Sequence, residues 1–359
     1  MESNPAYAIW AVTEDGAALG RKIQQQLPGA DLYLSGSEGQ AGKAENRPPA
    51  RTFERLSQGL SAVFSQYRGH ICIMSAGIVV RSIAPLLRHK TVDPAVVVID
   101  EGGRHVVSLL SGHIGGANAL AQTLAQMIDA TPVITTATDV HQLPAVDVIA
   151  VQLGLKIENV EAVKAIHMAL LTGGKLRLHD PYDILGRRLP GRFIAAKLDL
   201  AKAAPGETAA QPGIFVDDRQ VDLPADILIL RPATLAAGIG CNRGTPMHEI
   251  RDHLLQVMAA HRLVPGSLIS LASIQIKRDE PGLLAAAKEL ELPIRFYPPD
   301  QLERVDGVQN PSAVVAKHLG VSSVCEAAAI LAADRGNLIV PKHATPNVTV
   351  AIARIAFTS

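Results

Sequence analysis

The sequence predicts an α/β protein: an amino-terminal, parallel-rich sheet domain (1–140) with a middle extension (141–225), followed by a smaller carboxy-terminal α/β domain (226–359). Three observations carry that expectation. Short apolar runs alternate with segments of helical periodicity, the pattern of strands joined by crossover helices. Glycine-rich turns sit at the joints between them. The alternation fails over residues 180–226, which are proline-rich and poorly patterned, and then restarts.

Taken in order, Tyr7–Val12 reads as a strand, and Thr13-Glu14-Asp15-Gly16 caps a helix running to Leu27. Asp31–Leu34 is a second strand. Residues 35–50, rich in Gly, Ser, Pro and charge, offer too little apolar surface to pack and read as a mobile loop. Phe53–Phe64 has helical spacing and feeds a buried strand at His70–Ser75. Gly77 turns that strand into a helix over Ile78–Leu87. Ala95–Asp100 and His105–Leu110 form a hairpin around the turn E-G-G-R, after which Gly112–Gly116 opens another helix. Beyond Asp139, helices are expected at Val146–Leu153 and Val160–Leu171 and a strand at Lys175–Leu178. The last third restarts with strands at Asp226–Arg231 and Leu235–Ile239 and a helix from Thr245-Pro246 to about His261. A strand at Leu268–Ile276, a helix to Leu290, a strand at Ile294–Tyr297, helices at 312–319 and Val324–Ala333, and two closing strands complete it.

Composition excludes several functions. Lys plus Arg total 34 and Asp plus Glu total 34, so no global field favours nucleic acid or an anionic membrane. Cys72, Cys241 and Cys325 are far apart and form no C-x-x-C pair, which argues against a disulfide framework or a zinc knuckle. The amino terminus has no export-signal pattern, and no apolar run approaches the ~20 residues of a membrane helix, so a cytoplasmic location is expected.

The candidate site follows from where polar residues gather. Two helix starts, Arg81, His113 and the hydroxyl-rich strand end Thr135, Thr136, Thr138 and Asp139 are expected to converge on one sheet edge suited to an anionic ligand. His113, between helix-opening glycines, reads as a general base or as a turn cap. Asp100 and Glu101 at a strand end read as an acid/base pair or as a solvated turn. Amides near Gly115–Ala117 are candidates for an oxyanion site. No nucleotide fingerprint or H-E-x-x-H spacing occurs, and no metal ligands are assigned. His167 and His253 read as surface residues of helices.

Four ordered phrases, A-G-I-V-V-R-S-I-A-P-L-L, D-P-A-V-V-V-I-D-E-G-G, S-L-L-S-G-H-I-G-G-A-N-A-L-A and P-V-I-T-T-A-T-D, resemble the cobalt-precorrin-5A hydrolase (CbiG) family of anaerobic cobalamin biosynthesis. G-I-G-C-N-R-G-T, L-A-S-I-Q-I-K-R-D-E-P-G-L and S-V-C-E-A-A-A extend the likeness through the last third. The resemblance implies opening of the δ-lactone of a cobalt-containing macrocycle by water, with release of acetaldehyde. A carrier that binds and hands on the corrinoid is the alternative. His113, Glu101 and Asp100 are then the catalytic candidates. Gly77, Arg81, Ser111, Gly115, Gly116, Ala117, Asn118, Thr136, Asp139, Lys277, Glu280 and Glu326 are candidates for substrate binding, with Arg88 and Lys90 as further cations for ring carboxylates. No cofactor is expected, because cobalt arrives inside the substrate. The expected partners are the cobalt-corrinoid substrate and other cobalamin-pathway enzymes, with oligomeric state left open.

Overall fold

Strands β4 (Gly69–Ile73) and β5 (Ala95–Ile99) are buried along their whole length, as uninterrupted apolar runs require of strands covered on both faces. The computed structural model describes residues 6–36, 50–89, 92–200, 211–310 and 323–356. Its contacts divide the chain into two compact units, Met1–Val148 and Ile149–Ser359. Lys90, most of the loop expected at 35–50 and the helix expected at 312–319 lie outside the described residues.

In the first unit, β1 (Tyr7–Ala11), β2 (Asp31–Ser35), β3 (Ala50–Phe53), β4, β5, β6 (His105–Leu110) and β7 (Thr131–Val133) form one sheet in the order β3-β2-β1-β4-β5-β6-β7. All neighbours are parallel except the β5–β6 hairpin. One face packs on α1 (Glu14–Gln26) and α4 (Ala117–Ile128), through Ile9, Ile71, Ile73, Val97, Ile23, Leu120 and Leu124. The other face packs on α2 (Leu56–Val63) and α3 (Ala76–Ile83), through Trp10, Cys72, Val98, Leu60 and Ile83. Thr13 caps α1 by accepting from the Gly16 amide, as the T-E-D-G start predicts. Inside the second core, His70 Nδ1 accepts from Trp10 Nε1 at 3.1 Å, which leaves Nε2–H to donate to Phe64 O at 3.0 Å. Burial, opposed by that carbonyl bond, lowers the His70 pKa to about 4, so this imidazole is neutral. Two short helices, α5 (Ala137–Val140) and α6 (Val146–Gln152), follow.

The second unit holds two sheets. Strands β8 (Lys156–Ile157), β9 (Leu176–His179), β10 (Ile194–Lys197), β11 (Gly213–Val216) and β12 (Ile227–Arg231) assemble in the order β10-β9-β11-β12-β8, with α7 (Ala162–Leu171) between β8 and β9. The third sheet runs β15 (Ile294–Tyr297), β14 (Leu268–Ile274), β13 (Leu235–Cys241), β17 (Val348–Arg354), β16 (Asn337–Ala344). Its helices are α8 (Met247–Ala260), α9 (Pro281–Glu289), α10 (Pro299–Glu303) and α11 (Val324–Ala332). The boundary expected at 225 moves: β12 pairs in register with β11 and β8, so the run I-L-I-L-R closes the middle sheet instead of opening the last one. The junction is clamped by Asp218, fully buried, whose carboxylate accepts from Arg354 Nε and Nη2 at 2.7 Å each and from Thr234 Oγ1 at 2.7 Å.

Candidate active site

Because β6 runs antiparallel to β5, with Leu110 opposite Val96 and Val106 opposite Ile99, the two ends of β6 lie at opposite edges of the sheet. Six residues at ~3.3 Å each set those edges roughly 20 Å apart. Gly77 and Arg81 after β4, and Asp100 and Glu101 after β5, are at one edge. Ser111–Asn118 after β6 and Thr135–Asp139 after the parallel β7 are at the other. The expected convergence on a single edge is therefore corrected: the candidate residues form two groups, and His113 has neither Arg81 nor Glu101 beside it.

At the His113 edge the side chains interlock. His113 Nε2 lies 3.0 Å from Thr138 Oγ1 and 3.3 Å from Asp139 Oδ2, while Nδ1 lies 3.6 Å from Asp147 Oδ2. Asn118 Nδ2 donates to Thr136 Oγ1 at 2.8 Å and to Asp139 Oδ2 at 3.0 Å, and its Oδ1 accepts from Ser108 Oγ at 2.6 Å. The Asp147 side chain is only 4% exposed and His113 16%, so this ion pair is largely shielded from solvent, whereas Asp139 is exposed. Hydrogen bonding to Asp147, with its charge and that of Asp139, outweighs burial and raises the His113 pKa. Thr135 is exposed and joins no bond of this network.

The loop S-G-H-I-G-G is shaped by its glycines. A Cβ on Gly112 would lie 2.6 Å from Asn118 Oδ1, one on Gly115 would lie 2.4 Å from Ser111 Cβ, and Gly116 turns into α4 at φ 86°. Ser111 itself has φ 56°, a strained value for a residue with a side chain, and its buried Oγ makes no hydrogen bond among the described residues. This geometry corrects the expected oxyanion site. The Gly116 amide donates to His113 O and the Ala117 amide to Ser111 O, so two of the three expected donors are already engaged. Asn118 N likewise donates to Gly112 O; Gly115 N–H makes no backbone hydrogen bond among the described residues.

At the opposite edge Asp100 caps its turn. It accepts from the amides of Arg104 and His105; burial pushes its pKa up, but those bonds outweigh it and the pKa falls. Glu101 is exposed in the same turn. Arg81 is exposed, with Nη1 3.4 Å from Gly77 O, and Arg88 is exposed as well.

Three family models tile the chain: Cobalamin synthesis G N-terminal over residues 58–139, Cobalamin biosynthesis central region over 144–232 and Cobalamin synthesis G C-terminus over 235–353. The cobalt-precorrin-5A hydrolase of Priestia megaterium is 32% identical, over 98% of this chain and 95% of its own. This chain belongs to the cobalt-precorrin-5A hydrolase family. The cobalt-precorrin-5A hydrolase of Salmonella typhimurium is 34% identical over 90% of this chain and 91% of its own. A solved structure of CobE, a protein from the cobalamin (vitamin B12) biosynthetic pathway, is 38% identical, covering 36% of this chain and 94% of that one, with a TM-score of 0.34. The break between the central and C-terminal models falls where the structure separates β12 from β13.

In the C-terminal part of this family member, the expected carboxylates turn inward. Glu280, 1% exposed, accepts from the Gly244 amide at 2.8 Å and pairs with Lys277 Nζ at 3.2 Å; the amide bond, with Lys277 and Arg243 opposing burial, lowers its pKa. Glu326 is fully buried. Its two oxygens accept from the amides of Gln309, Asn310 and Lys342 and from Asn310 Nδ2, and these bonds overcome the upward push of burial on its pKa. Both carboxylates hold loops in place, which corrects their assignment to substrate contact. His253 is buried on α8 with Nε2 3.3 Å from His343 O, so it is not the surface residue expected. No described helix is long and apolar enough to cross a membrane. Asp147 escaped the sequence reading: in P-A-V-D-V-I-A it looks like an ordinary first-turn acid of α6, and only the fold brings it to His113.

Proposed function

We propose that this chain opens the δ-lactone of cobalt-precorrin-5A with water and releases acetaldehyde to give cobalt-precorrin-5B. The observation that carries the reading is His113 set between Asp147 at Nδ1 and the Thr138–Asp139 pair at Nε2. In the neutral ring, Nδ1–H faces the Asp147 carboxylate and Nε2 is the basic atom. Water held at Nε2 in place of the Thr138 hydroxyl loses a proton to the ring as its oxygen adds to the lactone carbonyl. Collapse of the adduct breaks the ring C–O bond, leaving a carboxylate and a hydroxyl, and the imidazolium returns its proton to the departing oxygen. Removal of the hydroxyl proton then lets the C–C bond break. The carbinol carbon leaves as acetaldehyde, and the electron pair passes into the conjugated macrocycle, which takes up a proton. Asp147 and Asp139 stabilise the imidazolium between these transfers. Asn118, Thr136, Ser111 and the Gly115 amide are the polar groups offered to the substrate at this edge. Cobalt enters and leaves within the substrate, and no resident cofactor is invoked.

The test is incubation of the purified chain with cobalt-precorrin-5A and an assay for acetaldehyde. Stoichiometric release is expected. Tight binding of the corrinoid without acetaldehyde would replace this reading with that of a carrier.

A further inference from the structure

A second concave site lies wholly within the C-terminal sheet domain and shares no residue with the hydrolysis site. It is a cleft of about 240 Å³ where the ends of β13 and β14 meet the start of α11 and the β16–β17 turn. Pockets that enclose a whole small molecule run to roughly 300–1,000 Å³, so this one has room for a single arm of a ligand or for a small acid. Among the described residues, no carboxylate lines it. Two lysines do: Lys277, tied to Glu280, and Lys342, which makes no ion pair among the described residues.

The start of α11 contributes donors. Ser323 stands at the N-cap of this nine-residue helix yet makes no capping bond, so its hydroxyl does not satisfy the first-turn amides. Ser323 is 2% exposed and lines the cleft; among the described residues its Oγ has no oxygen or nitrogen partner and meets only the Cys325 thiol. A buried hydroxyl left this way is costly unless something completes it. Glu326, in the same helical turn, would oppose an anion, but its charge is met by four N–H donors from Gln309, Asn310 and Lys342. The cations, the hydroxyl and the helix start together select a compact anion on an aliphatic stem, because Ile274, Val324 and Val348 form apolar wall.

We propose that this cleft binds an aliphatic carboxylate, held by Lys342, Lys277 and Ser323. The carboxylate belongs either to one arm of a polycarboxylate corrin or to a free short-chain acid, and titration calorimetry on the full chain separates the two. The probes are cobyrinic acid, its fully esterified heptamethyl ester, and sodium propionate; the proteins are wild type, Lys342→Gln, Ser323→Ala and, as an exposed-lysine control, Lys288→Gln. Cobyrinic acid should bind, with Lys342→Gln weakening it about ten-fold or more and Ser323→Ala about two- to ten-fold, while Lys288→Gln leaves it unchanged. The ester should show no dependence on Lys342. Loss of propionate binding in Lys342→Gln would assign the site to free acids as well; propionate that fails to bind while cobyrinic acid responds would assign it to a corrin arm. Unchanged affinity for both acids in folded Lys342→Gln overturns the proposal. Should that variant not fold, unchanged affinity in Ser323→Ala does the same. The readout is binding without turnover, so its failure leaves lactone hydrolysis at His113 untouched.

Discussion

At one edge of the amino-terminal sheet, His113, Asn118, Thr136, Thr138, Asp139 and Asp147 bond to one another across three separate chain segments. At the other edge, Asp100 bonds to the amides of Gly102, Arg104 and His105 and pairs with the His105 ring at 3.6 Å, all within five residues of it, and Glu101 and Arg81 face solvent. Both groups contain a carboxylate beside a glycine turn, and in sequence they look alike. The difference lies in range: local bonds close a turn, whereas long-range bonds hold a titratable ring against a buried carboxylate and an exposed one.

The largest expected effect sets the edges against each other. His113→Asn should lower acetaldehyde release by roughly 100-fold to 10,000-fold at saturating substrate, while Glu101→Gln should stay within about two-fold of wild type. Equal losses in the two variants would erase the distinction between the edges.

Histidine position sharpens it further. His70 is buried with no carboxylate partner, and burial sets its pKa at about 4, while the unfolded ring takes a proton near 6.5. A depressed folded pKa means that its contribution is complete above pH ~6.5 and is lost as pH falls toward 4, on the order of 3 kcal/mol. Denaturant melts of the full chain between pH 7 and 4 should show that loss, and His70→Gln should reduce the slope even though it lowers stability overall. A slope identical in the variant would assign the acid sensitivity elsewhere.

Asp147→Asn should have an intermediate effect, about ten-fold on rate. His113 acts as a base when neutral, so the rate rises as pH climbs through its raised pKa; removing Asp147 lowers that pKa and moves the rising limb to lower pH. A limb that stays in place in the pH profile of kcat/KM would mean that Asp147 does not tune His113. Arg81→Ala is the smallest change: with its guanidinium exposed, a shift in corrinoid affinity of no more than about two-fold is expected by absorbance titration. A ten-fold loss would return the first edge to the binding surface.

Much of this was legible in the sequence. The apolar runs at His70 and Ala95, the hairpin at E-G-G-R and the helix after Gly116 stand where periodicity and turn chemistry put them. The opposite placement of the two edges was also implicit, since a hairpin reverses the chain and carries whatever follows β6 back across the sheet. What could not be read was pairing at a distance. Asp147 and Glu326 each look like a first-turn acid, and only tertiary contacts give one to His113 and the other to three backbone amides. The boundary near 225 was misplaced for a related reason: an apolar strand after a proline-rich stretch has the same pattern whether it ends one sheet or begins another. A truncation at Ala225 would strip β12 from β11 and damage the middle sheet, so cuts should fall between Arg231 and Leu235.

Even that cut carries a penalty set by Asp218. The carboxylate that clamps Arg354 belongs to one sheet and the guanidinium to the other, so a gene fragment starting at Leu235 would inherit the cation without its counter-ion. Recombination that moves the last sheet into a new setting must therefore move the acid with it, replace Arg354, or leave that charge to water. Heated as a whole, the second unit should for the same reason lose its two sheets in a single calorimetric transition, despite containing separate hydrophobic clusters.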